Sequence, residues 1–284
     1  NPITRKLGCL DRGTIQEVGG DIIFLAADGL RTVAGTEKIG DIELGTVSKP
    51  IQKRINEINF DNLNSLVIRE KSQYRLFYPD DDNIETVSKG IIGTLKRNLE
   101  GTVGWQWSDI IGIRPTCTDS KYFGSTEYII HGDESGFAYR QEQSNRFNGS
   151  TTDSSTGTAI SAAYKSPDIV FGDSGVRKNM QRILLNVESE GDLDFSLLMR
   201  YNYNNSDTPQ PSAISISETS GVAVFGNALS TFGTAVFGSF GSPLIRKSIE
   251  GSGFASAVHI IDTASTTPYS IRGFQLEYTP GGRY

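Results

Sequence analysis

The sequence predicts an all-β protein: β-propeller-like blades followed by an antiparallel β-sandwich-like region, with one short helix near residues 48–58. Three observations carry this prediction. Apolar residues recur at a spacing of two, as in Leu193, Phe195, Leu197, Met199, Tyr201 and Tyr203, which is the pattern of a strand with one buried face. Glycine (31 residues), tyrosine (11) and phenylalanine (14) accompany abundant Ser, Thr, Asn and Asp, a composition of short strands joined by tight turns. Helical spacing of apolar residues stands out in one segment only.

Along the chain, Asp21 to Leu25 reads as a strand that reaches Asp28-Gly29 before a second run. That is a hairpin signal, because glycine tolerates positive φ. Val47, Ile51, Ile55 and Ile58 then fall on one helical face, with Ser48 as the cap and Pro50 in the first turn. Leu63 to Tyr78 gives two apolar runs about a polar centre, Arg69 to Gln73, hence another hairpin, ending at Pro79 and three aspartates. Between Trp105 and Arg140, the strand Glu127 to Ile130 turns through Gly132 to Gly136 into Phe137 and Tyr139. Hairpins recurring in this way fit propeller blades or a sandwich, and their irregular spacing does not choose.

Residues Asn148 to Thr158 are small and polar, either a long turn or the boundary between two β units. The expected organisation is therefore 1–155 for the hairpins and helix, and 156–284 for the sandwich-like unit. In the second unit, Arg182 to Val187 and the strand from Leu193 are expected to form a long hairpin across residues 188–192. Phe274, Leu276 and Tyr278 repeat the alternation and belong to the same sandwich. Pro209 to Gly241, rich in Ser, Ala, Gly and Thr, reads as a loop or protruding arm near 205–241.

Charge and motif content narrow the function. A net charge of -6 supplies no basic field to neutralise phosphate, which argues against sequence-reading DNA binding. Cys9 and Cys117 have no partner spacing and read as free thiols. No apolar run of membrane-spanning length and no signal-peptide pattern occurs, so the chain is expected to be soluble and made in the cytoplasm. It opens on Asn1 rather than Met, which points to upstream sequence or processing.

Asp80, Asp81 and Asp82 lack the alternating ligands, glycine and distal glutamate of a calcium loop. Gly172-Asp173-Ser174-Gly175 echoes a serine-protease nucleophile. However, Val176 replaces the second glycine, and His131 sits in Ile-Ile-His-Gly, so the reading is a β-turn. His131 and His259, far apart in apolar strands, make no HxH or HExxH metal site, and no phosphate-cradling glycine loop occurs. Asp133 and Glu134 beside Tyr128 and Tyr139 are the candidates for two-carboxylate glycosidase chemistry, but adjacent carboxylates on a strand turn diverge. Trp105 and Trp107 share a strand face and can stack on sugar rings or fill the core. The sequence thus predicts no enzyme and no cofactor, with Trp105, Trp107, Tyr128 and Tyr139 as candidate glycan or partner contacts.

Three stretches resemble the tail nozzle proteins of short-tailed bacteriophages, the tail tubular protein B family. They are Phe24 to Ile55 (FLAADGLRTVAGTEKIGDIELGTVSKPIQKRI), His131 to Gly149 with Ile160 to Lys178 (HGDESGFAYRQEQSNRFNG and ISAAYKSPDIVFGDSGVRK), and the ending IRGFQLEYTPGGRY. The resemblance implies a propeller-containing structural virion component made in the host cytoplasm. Six copies would form a ring with adaptor and tail fibre proteins, through which genomic DNA passes without sequence-specific binding. Family members are much longer than 284 residues, so the chain is expected to be a fragment, a processed chain or a reduced version. Acidic side chains around such a lumen repel phosphate, and the candidates are Asp41, Glu43, Asp80, Asp81, Asp82 and Asp133. The alternative is a carbohydrate- or receptor-binding β module of a tail fibre or adhesin.

Overall fold

The computed structural model describes residues 8–38, 46–80, 83–97, 101–143, 146–147, 157–189, 191–218, 244–264 and 268–283. The chain is mostly strand and divides into two compact units, Asn1–Gln143 and Ser144–Tyr284. Among the described residues every strand pair is antiparallel and no sheet closes into a barrel.

The first unit begins with a three-stranded sheet of β1 (Gln16–Val18), β2 (Asp21–Ala26) and β3 (Gly29–Thr32). The expected hairpin is present: Ala26 pairs with Gly29, whose φ of +131° suits glycine. A Cβ on Gly29 would meet Ser48 Oγ at 2.5 Å, and that hydroxyl already accepts the Leu30 amide at 3.0 Å. A short helix α1 (Val33–Lys38) follows, which the apolar spacing does not announce. The expected helix is a 3-10 turn, Lys49–Ile51, running into α2 (Gln52–Asn56), with Pro50 in the first turn as read. Ser48 makes no side-chain cap, because its hydroxyl serves Leu30.

A four-stranded meander comes next: β4 (Asn64–Ile68), β5 (Gln73–Asp80), β6 (Asn83–Arg97) and β7 (Val103–Ile111). The β4–β5 turn falls at the predicted polar centre, where the Ser72 amide donates to Arg69 O at 3.0 Å. Strands β8 (Cys117–Phe123), β9 (Thr126–Gly132) and β10 (Ala138–Arg140) form a second three-stranded sheet with β9 central.

Strands β4 and β5 are covered on both faces. On one side Val67, Tyr74, Leu76 and Tyr78 pack with Ile23, Leu25 and Leu30 of the first sheet and with Ile55 and Ile58. On the other, Leu66, Ile68 and Phe77 pack with Ile129 of β9. Each such fully buried side chain contributes roughly 1.5–3 kcal/mol of hydrophobic stabilisation, so this central pair holds the unit together. Glu127 of β9 fastens the layers: its carboxylate accepts the Arg69 amide at 2.9 Å and the Glu70 amide at 3.1 Å.

The second unit contains a minor pair, β11 (Arg146–Phe147) with β12 (Thr158–Ala159), and two larger sheets. In chain order the remaining strands are β13 (Ala162–Lys165), β14 (Val176–Ser189), β15 (Leu193–Tyr201), β16 (Ile214–Glu218), β17 (Leu244–Ser248), β18 (Ser252–Gly253), β19 (Ser256–Asp262) and β20 (Tyr269–Arg283). One sheet has the order β13-β19-β15-β16. In the other, β14 is central, with β17 and β18 on one edge and β20 on the other. The two sheets share one core: Ile183, Leu185 and Val187 of β14 meet Phe195, Leu197 and Met199 of β15, with Phe274 and Leu276 of β20 alongside.

This arrangement corrects the expected hairpin of Arg182 to Val187 with the strand from Leu193. The two strands are consecutive, but each pairs within its own sheet, so the chain arches across the core instead of turning within a sheet. The reason is that both strands have a buried face, and the arch places those faces against each other. The Pro209 to Gly241 loop is corrected in part, because Ile214–Glu218 is a strand paired to β15. Residues 219–241 lie outside the described residues.

Candidate functional site

The sequence-derived candidates occupy separate places. Trp105 and Trp107 alternate on β7 as expected and stack on each other, with centroids 5.4 Å apart and planes 18° apart. Both are half-buried against the core of the first unit, and Trp107 Nε1–H donates to Val47 O at 3.1 Å. Tyr128 and Tyr139 lie on the other three-stranded sheet but not opposite each other: Tyr139 pairs with His131, and Tyr128 with Lys121.

Strand alternation sorts that sheet's two faces. Glu127, Ile129 and His131 face β4, while Tyr128 and Ile130 face away. On the outward face the Arg140 guanidinium sits 3.9 Å from the Tyr128 ring centre, and Phe123 meets Tyr128 edge-on at 5.3 Å. Such a cation over an aromatic face is attracted by the ring quadrupole. Phe123 is 61% exposed and Ile130 42%, so this face is an amphipathic patch.

On the inward side, His131 stacks on Tyr139 at 5.1 Å and its Nδ1 is 3.1 Å from Gln141 Nε2. Burial lowers the His131 pKa, although Asp133 pulls it upward. Gln141 accepts from Arg75 at 2.8 Å, and Arg75 also reaches Glu142 at 2.5 Å, where Lys71 is a second partner. Asp133 is committed to the β9–β10 turn, accepting the amides of Ser135 at 3.0 Å and Phe137 at 2.9 Å. It also raises the Tyr139 pKa, behind the loss of solvent around that hydroxyl. Glu134 pairs at 3.9 Å with Arg114, so the adjacent carboxylates diverge. Of the other acidic candidates, Asp80 ends β5, and Asp41, Glu43, Asp81 and Asp82 lie outside the described residues.

In the second unit, Gly172-Asp173-Ser174-Gly175 forms a turn. Gly172 has φ +65°, Asp173 Oδ1 accepts the Gly175 amide at 2.8 Å, and Asp173 O accepts the Val176 amide at 3.3 Å. Lys178, 2% exposed, holds the turn by donating to Asp173 O at 2.5 Å and Phe254 O at 3.3 Å. His259 Nε2, Asp168 Oδ1 and Ser256 Oγ are buried without hydrogen-bond partners. They do not converge as a triad: alternation along β19 puts Ser256 on the core face with Val258 and Ile260, and His259 on the opposite face. Burial, then Lys165 and Arg200, lower the His259 pKa, against a smaller upward pull from Asp168.

The concavity that sequence reasoning missed is a cleft of about 420 Å³ on one open side of the paired sheets, between β13 and β20. Its lining is mainly apolar, including Ala162, Tyr164, Ile260, Ile271 and Phe274, with Asp262 and Arg272 supplying charge. Cross-strand pairing explains why these meet. Ala162 lies opposite Asp262 and Tyr164 opposite Ile260, so all four share the core face of their sheet. Tyr269 closes one end by stacking on Phe195 at 5.2 Å, and its hydroxyl hydrogen-bonds Asp262. Burial, with Asp262 behind it, pushes the Tyr269 pKa well above the ordinary phenol range. Arg272 is held by Glu188, with Nε 2.9 Å from the carboxylate. This volume and lining can take apolar side chains or a small amphipathic ligand.

Among the described residues there is no group of three side chains suited to holding a metal ion, and no helix long and apolar enough to cross a membrane. Neither protein-family models nor curated proteins give a match to this sequence.

Proposed function

We propose that this chain is a non-enzymatic structural virion component, a tail nozzle subunit whose copies assemble into a ring that conducts the genome passively. The observation that supports this reading is the open side of the second unit, where apolar core surface lies at the bottom of a cleft between two sheet edges. Exposed core of this kind is stabilised when a neighbouring chain covers it. The outward face of β8–β10, with exposed Phe123 and Ile130 beside Arg140, offers a second contact surface for an adaptor or fibre. Asp133, a sequence-derived candidate, serves its own turn, and Glu127 serves the neighbouring β4–β5 turn.

The finer architecture belongs to the same proposal: the successive hairpins of 1–155 act as blade-like elements and 156–284 as a sandwich. A chain with net charge -6 suits a conduit along which DNA moves without sticking. Electron microscopy of the purified protein, alone and with its adaptor, tests the reading. Rings are the expected result, and a monomer that persists even with adaptor present overturns it.

A further inference from the structure

We infer that the cleft side of the second unit receives the β16 edge of another copy, so that subunits join head to tail by continuing one β-sheet. The inference rests on the ring reading above and names the surfaces that would build the ring.

The sheet β13-β19-β15-β16 has a terminal strand at each end, and among the described residues each pairs on one side only. On β13 the unpaired groups can be assigned. Ser166 N–H donates to Val258 O at 2.9 Å, so in the antiparallel ladder Tyr164 and Ala162 also bond to β19. Ala163 and Lys165 therefore turn their backbone N–H and C=O outward, where they form a template for an added strand. All four β13 residues are exposed.

The donor edge matches in direction and pattern. Strands β13, β19, β15 and β16 alternate in direction, so β16 of a second copy placed beside β13 makes an antiparallel pair. On β16, Ile214 and Ile216 lie on the core face, opposite Leu197 and Phe195, while Ser215 and Ser217 face out. On β13, Ala162 and Tyr164 point to the core face and into the cleft, and Ala163 and Lys165 point out. Continuing the sheet thus runs its apolar face from Ile214 and Ile216, packed in the core of their own copy, to Tyr164 at the cleft, and keeps the serines and Lys165 on the outer face. The rims carry both charge signs, Asp262 and Arg272 on one side and Lys247 with Glu218 on the other.

Such a contact uses two different surfaces of one chain. It is therefore heterologous and generates a ring when the rotation closes.

The test compares self-association of the full chain with that of Ala163→Pro by sedimentation, under reducing conditions because Cys9 and Cys117 are exposed. Proline at an outward-facing edge position removes only the unpaired N–H and is tolerated on edge strands. Self-association is expected to weaken about tenfold or more. Hydrogen exchange of the wild-type chain provides a readout that needs no variant, since the Ala163 and Lys165 amides should gain protection on assembly. A wild type that assembles while these amides stay unprotected, or while a folded Ala163→Pro assembles equally well, overturns this inference and leaves the ring reading intact. A wild type that never assembles overturns both.

Discussion

Replacing Gly93 by alanine should loosen the four-stranded sheet, for a reason visible in the geometry. Gly93 pairs with Trp107 across β6 and β7. A Cβ at that position lies 2.5 Å from Cζ3 and 2.8 Å from Cη2 of Trp107, and 3.0 Å from Cε3 of Trp105, whereas ordinary contact begins near 3.4 Å. The rings cannot yield freely, because Trp107 is tied to Val47 O and stacked on Trp105. Over-packing of this kind costs about 1–3 kcal/mol. Alanine offsets about 0.4–1 kcal/mol of that by restricting the unfolded chain. A net loss of about 1–2 kcal/mol corresponds to a melting midpoint lower by about 3–6 °C. Gly104 is the control, since a Cβ there meets nothing within 4 Å and Gly104→Ala should be neutral or slightly stabilising. Trp105 and Trp107 are the protein's two tryptophans, so thermal melts followed by tryptophan emission report on this site directly. If Gly93→Ala melts with the wild type and its emission is unchanged, or if Gly104→Ala is equally damaging, the packing argument fails.

Two further predictions concern charged side chains that hold turns or pair with neighbours. Lys178→Met removes the donor to the Asp173 and Phe254 carbonyls and should cost about 1–3 kcal/mol in urea denaturation, and an unchanged midpoint would show that Lys178 does not hold the turn. Burial alone would raise the Glu142 pKa, but hydrogen bonds and charge from Lys71 and Arg75 outweigh it and bring the carboxyl below its ordinary value. A folded pKa below the unfolded value of about 4.3 contributes stability above that pH and loses it as pH falls through the folded value. Glu142→Gln should therefore be less stable than wild type at pH 7, with the gap closing as pH falls below the ordinary glutamate range. A gap that stays constant across this range would contradict the assignment.

Local features of the fold were legible in the sequence because turn chemistry and period-two alternation are themselves local. Asp28-Gly29, the polar centre from Arg69 to Gln73, and the alternation from Leu193 to Tyr201 each placed a strand or turn where the structure has it. Partner choice was not legible. Alternation identifies the buried face of a strand but not its neighbour, so β14 and β15 read as a hairpin although each pairs within its own sheet. Strand β16 was hidden because Ile214 and Ile216 sit among serines, and α1 because Gly35 and Thr36 dilute its helical signal. The cleft could not be anticipated at all. Tyr164, Ile260 and Phe274 are distant in sequence and meet only through the order of strands in two sheets. The role of Glu127 was likewise invisible, since nothing about a glutamate in a strand says that it will accept two amides from another sheet.

Assembly is the central claim, and native mass spectrometry of the purified chain measures it most directly. A closed ring predicts one dominant species at a whole-number multiple of 30.9 kDa, six for the proposed nozzle, that persists on dilution. A spectrum containing only the 30.9 kDa monomer at every concentration would contradict it.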